Sequence, residues 1–147
     1  MPRTYLAFDY GSKRTGLAVG NDLTRTTQAL PALNTRTLQQ ADGTLVLDTL
    51  RPLIKEWRID HLVFGLPLDA QGQDTKLSRK ITRLGEQLSA ALELPVSYAD
   101  ERYTSGEADR LLRETQGAGK KFNAKKIALR DSVAAQLILE TYFSHTD

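Results

Sequence analysis

TYLAFDYGSKRTGLAVG, residues 4–20, alternates apolar side chains at the two-residue period of a β-strand. Leu6, Phe8 and Tyr10 fall on one face and Tyr5, Ala7 and Asp9 on the other. Gly11-Ser12-Lys13 reads as a turn and Arg14 to Gly20 as the returning strand, so the stretch predicts an antiparallel hairpin with a basic tip. The first strand thus ends on a carboxylate. Burying an unpaired carboxylate is costly unless it is neutralised, hydrogen-bonded or bound to a cation. Asp9 is therefore either a turn-initiating Asp or a ligand, and Gly11 just beyond it would let a phosphate or metal approach the backbone closely.

Two further acidic positions stand out. Asp100 and Glu101 follow the strand-like Leu94-Pro95-Val96-Ser97-Tyr98, and adjacent residues of an extended chain cannot face the same way. Glu101 is taken as the inward acid, with Asp100 as its substitute and a surface turn as the ordinary alternative. Asp131 shares a helical face with Ile127, Ala128, Ala134, Ala135 and Ile138, a setting that fits either a metal ligand or a buried Asp paired with arginine. Three such carboxylates brought together would form a divalent-metal site. The chain has no cysteine, and its two histidines, His61 and His145, are far apart in sequence, so oxygen ligands remain and suit Mg²⁺ or Mn²⁺.

Beyond the hairpin, a short third strand is expected between Thr24 and Leu33, with Pro31 marking it as an edge. An amphipathic helix is expected over about residues 42–57 despite Pro52, and HLVFGL at His61 to Leu66 reads as a buried, parallel strand. After a polar loop at Asp69 to Asp74, Leu77, Ile81, Leu84, Leu88, Ala91 and Leu92 form the clearest helical stripe in the chain. Pro95 to Ala99 is the next strand. Thr104 and Glu107 have capping-box spacing for a helix that Gly117 ends, and Ala124 to Phe143 is the last helix. The strand-helix-strand units imply parallel pairing beside the antiparallel hairpin, hence a mixed α/β sheet of the ribonuclease H-like kind.

At 147 residues and 40% apolar composition, one domain spanning 1–147 is expected. No apolar run reaches membrane-spanning length, so no membrane partner is expected and the cytoplasm is the default compartment. The net charge of +2 is modest but unevenly placed. Lys120, Lys121, Lys125, Lys126 and Arg130 lead acid-free into Asp131, and Arg102, Arg110 and Arg113 lie upstream. Such a run is either a solvated surface or a polyanion-binding loop, and its place beside Asp131 favours the second. Trp57 and Phe64 are read as core, whereas Phe122, in the basic loop, is a candidate for stacking on a base.

Residues 7–20, the Phe64-Gly65-Leu66-Pro67-Leu68 run with Gly72, Asp100-Glu101-Arg102-Tyr103-Thr104-Ser105, and the helix near Lys125-Lys126-Ile127 with Asp131-Ser132 resemble the YqgF/RuvX family. The resemblance covers nearly the whole chain in order. It implies a ribonuclease H-like nuclease that processes the 5′ end of pre-16S ribosomal RNA and is related to Holliday junction resolvases. Carried over by motif, Asp9, Glu101 and Asp131 are its catalytic, metal-binding acids. Asp9 would bridge two Mg²⁺ ions, with Glu101 and Asp131 each holding one, to activate water and stabilise the leaving oxygen. Lys13, Arg14, Arg102, Lys120, Lys121, Lys125 and Lys126 would bind nucleic-acid phosphates. Related resolvases use four acids, two of them on the last helix, whereas one turn from Asp131 this chain has Ala128, Ala134 and Ala135. A phosphate or Asp100 would complete the shell, or a second ion would bind weakly without substrate. Ribosomal precursor particles are possible partners, and the chain acts as monomer or homodimer. The competing readings are a dimeric resolvase of branched DNA, a non-catalytic RNA-binding maturation or transcription factor, and a phosphate-binding lobe of the actin/sugar-kinase type, for which the chain is too short.

Overall fold

The computed structural model describes residues 2–100 and 124–145, with side chains described outside 124–131. Strands β1 (Thr4–Asp9), β2 (Arg14–Asn21) and β3 (Thr27–Asn34) form an antiparallel meander. Helix α1 (Leu50–Trp57) leads to β4 (His61–Leu66), which pairs parallel with β1. Helix α2 (Lys76–Leu92) crosses to β5 (Val96–Asp100), parallel to β4, and the described chain resumes in α3 (Ala124–Ser144). The sheet order is β3-β2-β1-β4-β5, the mixed five-stranded ribonuclease H-like arrangement.

The alternation of β1 separates two cores. Leu6, Phe8 and Tyr10 join the larger one with Ile81, Leu84 and Leu88 of α2, where Phe8 stacks on Phe64 at 4.3 Å. On the other face Tyr5, Ala7, Ala18, Val63 and Ala99 pack against Ala135, Ile138, Leu139 and Phe143 of α3. Small side chains on both partners let this helix lie close to the sheet. Phe64 is buried and Trp57 packs at the edge of the larger core, as their apolar settings predict.

One predicted element is shorter than its periodicity implied. The helix expected from residue 42 begins at Leu50, which puts Pro52 in the first turn, where its missing amide has no intrahelical acceptor to lose. A start at 42 would have placed Pro52 in the interior and removed its bond to the Asp48 carbonyl. Residues 39–45 instead form a turn closed by Gly43 N–H to Gln40 O at 2.9 Å, with Gly43 at φ 93°. Leu45 and Leu47 reach the larger core from this loop, which is why their spacing mimicked a helix. The helix expected from Thr104 to Gly117 lies outside the described residues.

Candidate functional site

Asp9 is the last residue of β1 and pairs with Gly16 of β2. It shares the parity of Tyr5 and Ala7, the face covered by α3, and is half-buried. Phe8 pairs with Phe64 and Gly65 with Ala99, so the row through Asp9 carries two glycines and an alanine as its neighbours. Small residues leave room beside the carboxylate. The turn after it is tight: a Cβ on Gly11 would lie 2.5 Å from the Arg14 carbonyl oxygen, so glycine is required there.

The basic hairpin tip is anchored by the 3₁₀ turn Thr35–Thr37. The Thr35 amide donates to the Lys13 carbonyl at 2.9 Å, and the Thr35 hydroxyl donates to the Gly11 carbonyl at 2.6 Å. Lys13 and Arg14 are exposed at this tip.

Asp131 belongs to α3, one residue before Ser132. The Ser132 hydroxyl is buried, donates to the Leu30 carbonyl and accepts from the Leu17 amide at 3.3 Å. Leu17 pairs with Phe8, next to the Gly16–Asp9 pair, so the turn of α3 that contains residue 131 crosses the sheet at the Asp9 end. Of the residues expected on the Asp131 face, Ala135 and Ile138 are buried and Ala134 is half-buried. Lys125 and Lys126 lie in the first turn of the same helix.

Asp100 closes β5 on the parity of Val96 and Tyr98, which pack on the larger core, whereas Ala99 faces α3. Glu101, Arg102, Lys120, Lys121 and Phe122 lie outside the described residues. Of the three acids expected to share a metal, Asp9 alone has a described side chain, and among the described residues no three acids or histidines gather into a metal site. The donor chemistry nevertheless fits a hard divalent ion. His61 opens β4 at the opposite end of the sheet, with Nε2 2.7 Å from Ser97 Oγ, and His145 follows the end of α3. Neither histidine lies at the Asp9 end, which leaves oxygen ligands.

Two shifted groups support the frame. Burial and the Glu86 carboxylate push the Tyr98 phenol up, so its hydroxyl stays protonated and shares its one proton between Thr82 O at 3.2 Å and Glu86 Oε1 at 3.1 Å, tying β5 to α2. Burial, with a smaller contribution from Arg3, pushes His61 below the ordinary histidine range. Sequence reasoning found only the apolar stripe of α2 and missed its opposite face. Lys76, Arg79, Lys80 and Arg83 are all exposed there, and their spacing was legible as a row of cations.

A sequence model of the RuvX family, described as "Holliday junction resolvase", matches residues 3–145. A protein of Burkholderia vietnamiensis (strain G4 / LMG 22486), named "Putative pre-16S rRNA nuclease", is 41% identical over 143 residues, covering 95% of this chain and 88% of its own. A Dechloromonas aromatica (strain RCB) protein of the same name is 39% identical over 140 residues, covering 95% of this chain and 90% of its own. Among solved structures, that of Thermus thermophilus RuvC aligns with a TM-score of 0.49 at 11% identity, covering 95% of this chain and 93% of its own.

Proposed function

The chain belongs to the RuvX family, and on that premise we propose that it is a metal-dependent nuclease that trims the 5′ end of pre-16S ribosomal RNA in the cytoplasm. The observation that carries this reading is Asp9 at the end of a central strand, in a row of glycine and alanine, on the face that α3 crosses with Asp131 in its chain. Asp9, Glu101 and Asp131 would hold Mg²⁺ or Mn²⁺. Bound there, a divalent ion supplies a Lewis acid that favours hydroxide over water and stabilises the leaving oxygen of a phosphodiester.

The chain's own residues do the rest. Asp9, fixed by its pairing with Gly16 at the end of β1, holds one carboxylate in place where it would ligate the ion. Lys13 and Arg14, held at the tip by Thr35, bind a flanking phosphate, while Arg102 and the four lysines before Asp131 extend the contact. These cations contribute affinity and register rather than sequence choice. The family description favours a second reading, hydrolysis of branched DNA, and the same acids would serve it.

Cleavage of a 5′-extended 16S precursor RNA and of a four-way DNA junction, each in Mg²⁺, separates the two. Asp9→Asn, Glu101→Gln and Asp131→Asn should each lower cleavage of the RNA by roughly 10²-fold or more, since an amide cannot replace ligand charge. Thermal melting should stay close to wild type, because like charges repel where no cation binds. Near wild-type cleavage by the Asp9 variant would sink the metal-site reading, and cleavage confined to the junction would move the substrate to DNA.

A further inference from the structure

Lys76, Arg79, Lys80 and Arg83 occupy positions i, i+3, i+4 and i+7 of α2, one face of the helix, and no acid stands between Asp74 and Glu86. All four are exposed, opposite the buried Ile81, Leu84, Gly85 and Leu88. Because β4 runs parallel to β1, the first turns of α2 lie at the same end of the sheet as Asp9. Lys80 marks the junction, its Nζ lying 5.5 Å from the centroid of Tyr10, the residue after Asp9.

The row continues toward the hairpin tip. Arg36 faces Lys80 and Arg83 across a groove also lined by Gln39 and Gln87. It follows Thr35, whose amide is bonded to the Lys13 carbonyl. Asp42, an acid on the rim, turns its Oδ1 to the Thr44 amide at 2.9 Å. Cations thus run from Arg36 to α2 on the side of the sheet opposite α3, and Arg36 adjoins the hairpin tip that carries Lys13 and Arg14.

We propose that Arg36, Lys76, Arg79, Lys80 and Arg83 form a second phosphate track that grips a base-paired arm of the RNA whose adjoining strand enters the carboxylate site. This rests on the nuclease reading above. Paired RNA fits better than a single strand because the row is straight and rigid, with four cations over about 10 Å of helix. Duplexes present dense backbone charge, roughly one per 1.7 Å of axis in DNA. Single-strand grooves instead interleave aromatic platforms with cations, and the ring beside this row, Tyr10, is buried beneath Lys80.

The test compares wild type with the Lys76→Gln/Arg79→Gln/Arg83→Gln variant, binding a labelled RNA hairpin with a single-stranded tail and the tail alone, in Mg²⁺-free buffer over a range of salt. Affinity for the hairpin should fall roughly tenfold or more, and its log affinity should depend less steeply on log salt, by about 0.9 for each phosphate no longer neutralised if RNA duplexes follow the DNA coefficient. Tail binding should stay near wild type. Arg79→Lys/Arg83→Lys should retain the salt slope, because lysine also binds phosphate as a point charge; a flattened slope there would overturn the charge-based assignment. Equal losses on both RNAs would overturn the paired arm. Unchanged hairpin binding by the glutamine variant would overturn the track and leave the nuclease intact, whereas a wild type that binds neither RNA would overturn the RNA-nuclease reading and the track with it.

Discussion

Asp100 and Asp9 end neighbouring parts of one sheet on opposite faces. Asp100 shares its parity with Tyr98, against α2, while Asp9 shares its parity with Ala7, under α3. Asp100→Asn should therefore lose far less cleavage than Glu101→Gln in the same RNA assay, and the reverse order would shift the ligand by one residue. Ser132 makes a different kind of contribution. The β2–β3 register shifts between Thr15 and Leu17, and the Ser132 hydroxyl bonds both the Leu17 amide and the Leu30 carbonyl at that break. Ser132→Ala would leave both backbone groups short of a partner in the interior, at a cost of about 1–3 kcal/mol. Denaturant unfolding should show that loss, and cleavage should fall with it if the Ser132 anchor also positions Asp131.

At the scale of elements, α2 is fitted to β5 through a glycine. A Cβ on Gly85 would stand 2.7 Å from the Tyr98 hydroxyl oxygen, which is held between Thr82 and Glu86. Gly85→Ala gains about 1 kcal/mol of helix propensity. Overpacking costs about 1–3 kcal/mol, and displacing the hydroxyl weakens its shared hydrogen bond by about 1 kcal/mol more. Loss outweighs gain, so the variant should melt lower than wild type, whereas a higher melting temperature would show that Tyr98 moves aside freely. The helix expected over 42–57 shows the complementary case. Its apolar spacing was real, but Pro52 confined the helix to Leu50–Trp57 and left Leu45 and Leu47 to reach the core from a turn.

Across the whole molecule, stability is linked to pH through His61. The ring packs 4.9 Å from that of Tyr5, with Nε2 at Ser97 Oγ, to which the Tyr142 hydroxyl also donates at 3.2 Å. Its Nδ1 is buried with no hydrogen-bond partner among the described residues, which favours a neutral ring that donates from Nε2. Burial first, and Arg3 second, hold its pKa below the unfolded value of about 6.5. The unfolded chain therefore binds more protons as pH falls below that value, and the folded state loses stability there. Melting temperature should drop between pH 7.5 and 5.5, with a smaller drop in His61→Gln. An equal drop in both would remove His61 as the cause.

Residue order was enough to dictate the hairpin of β1 and β2, the buried β4, the stripe of α2 and the position of Asp9 at a strand end. Each depends on a period of two or 3.6 residues or on a glycine turn, and these signals are complete within a short window. Membership of the family was legible too, from motifs read in order along the chain. Only folding in three dimensions decided that Ser132 would mend a break between Leu17 and Leu30, more than a hundred residues away, and that His61 would meet Ser97 and Tyr142. It also decided that the cations of α2 would adjoin Arg36 and the residue after Asp9. These meetings depend on strand order and on which face each helix covers, and packing sets both across separations that no local pattern spans.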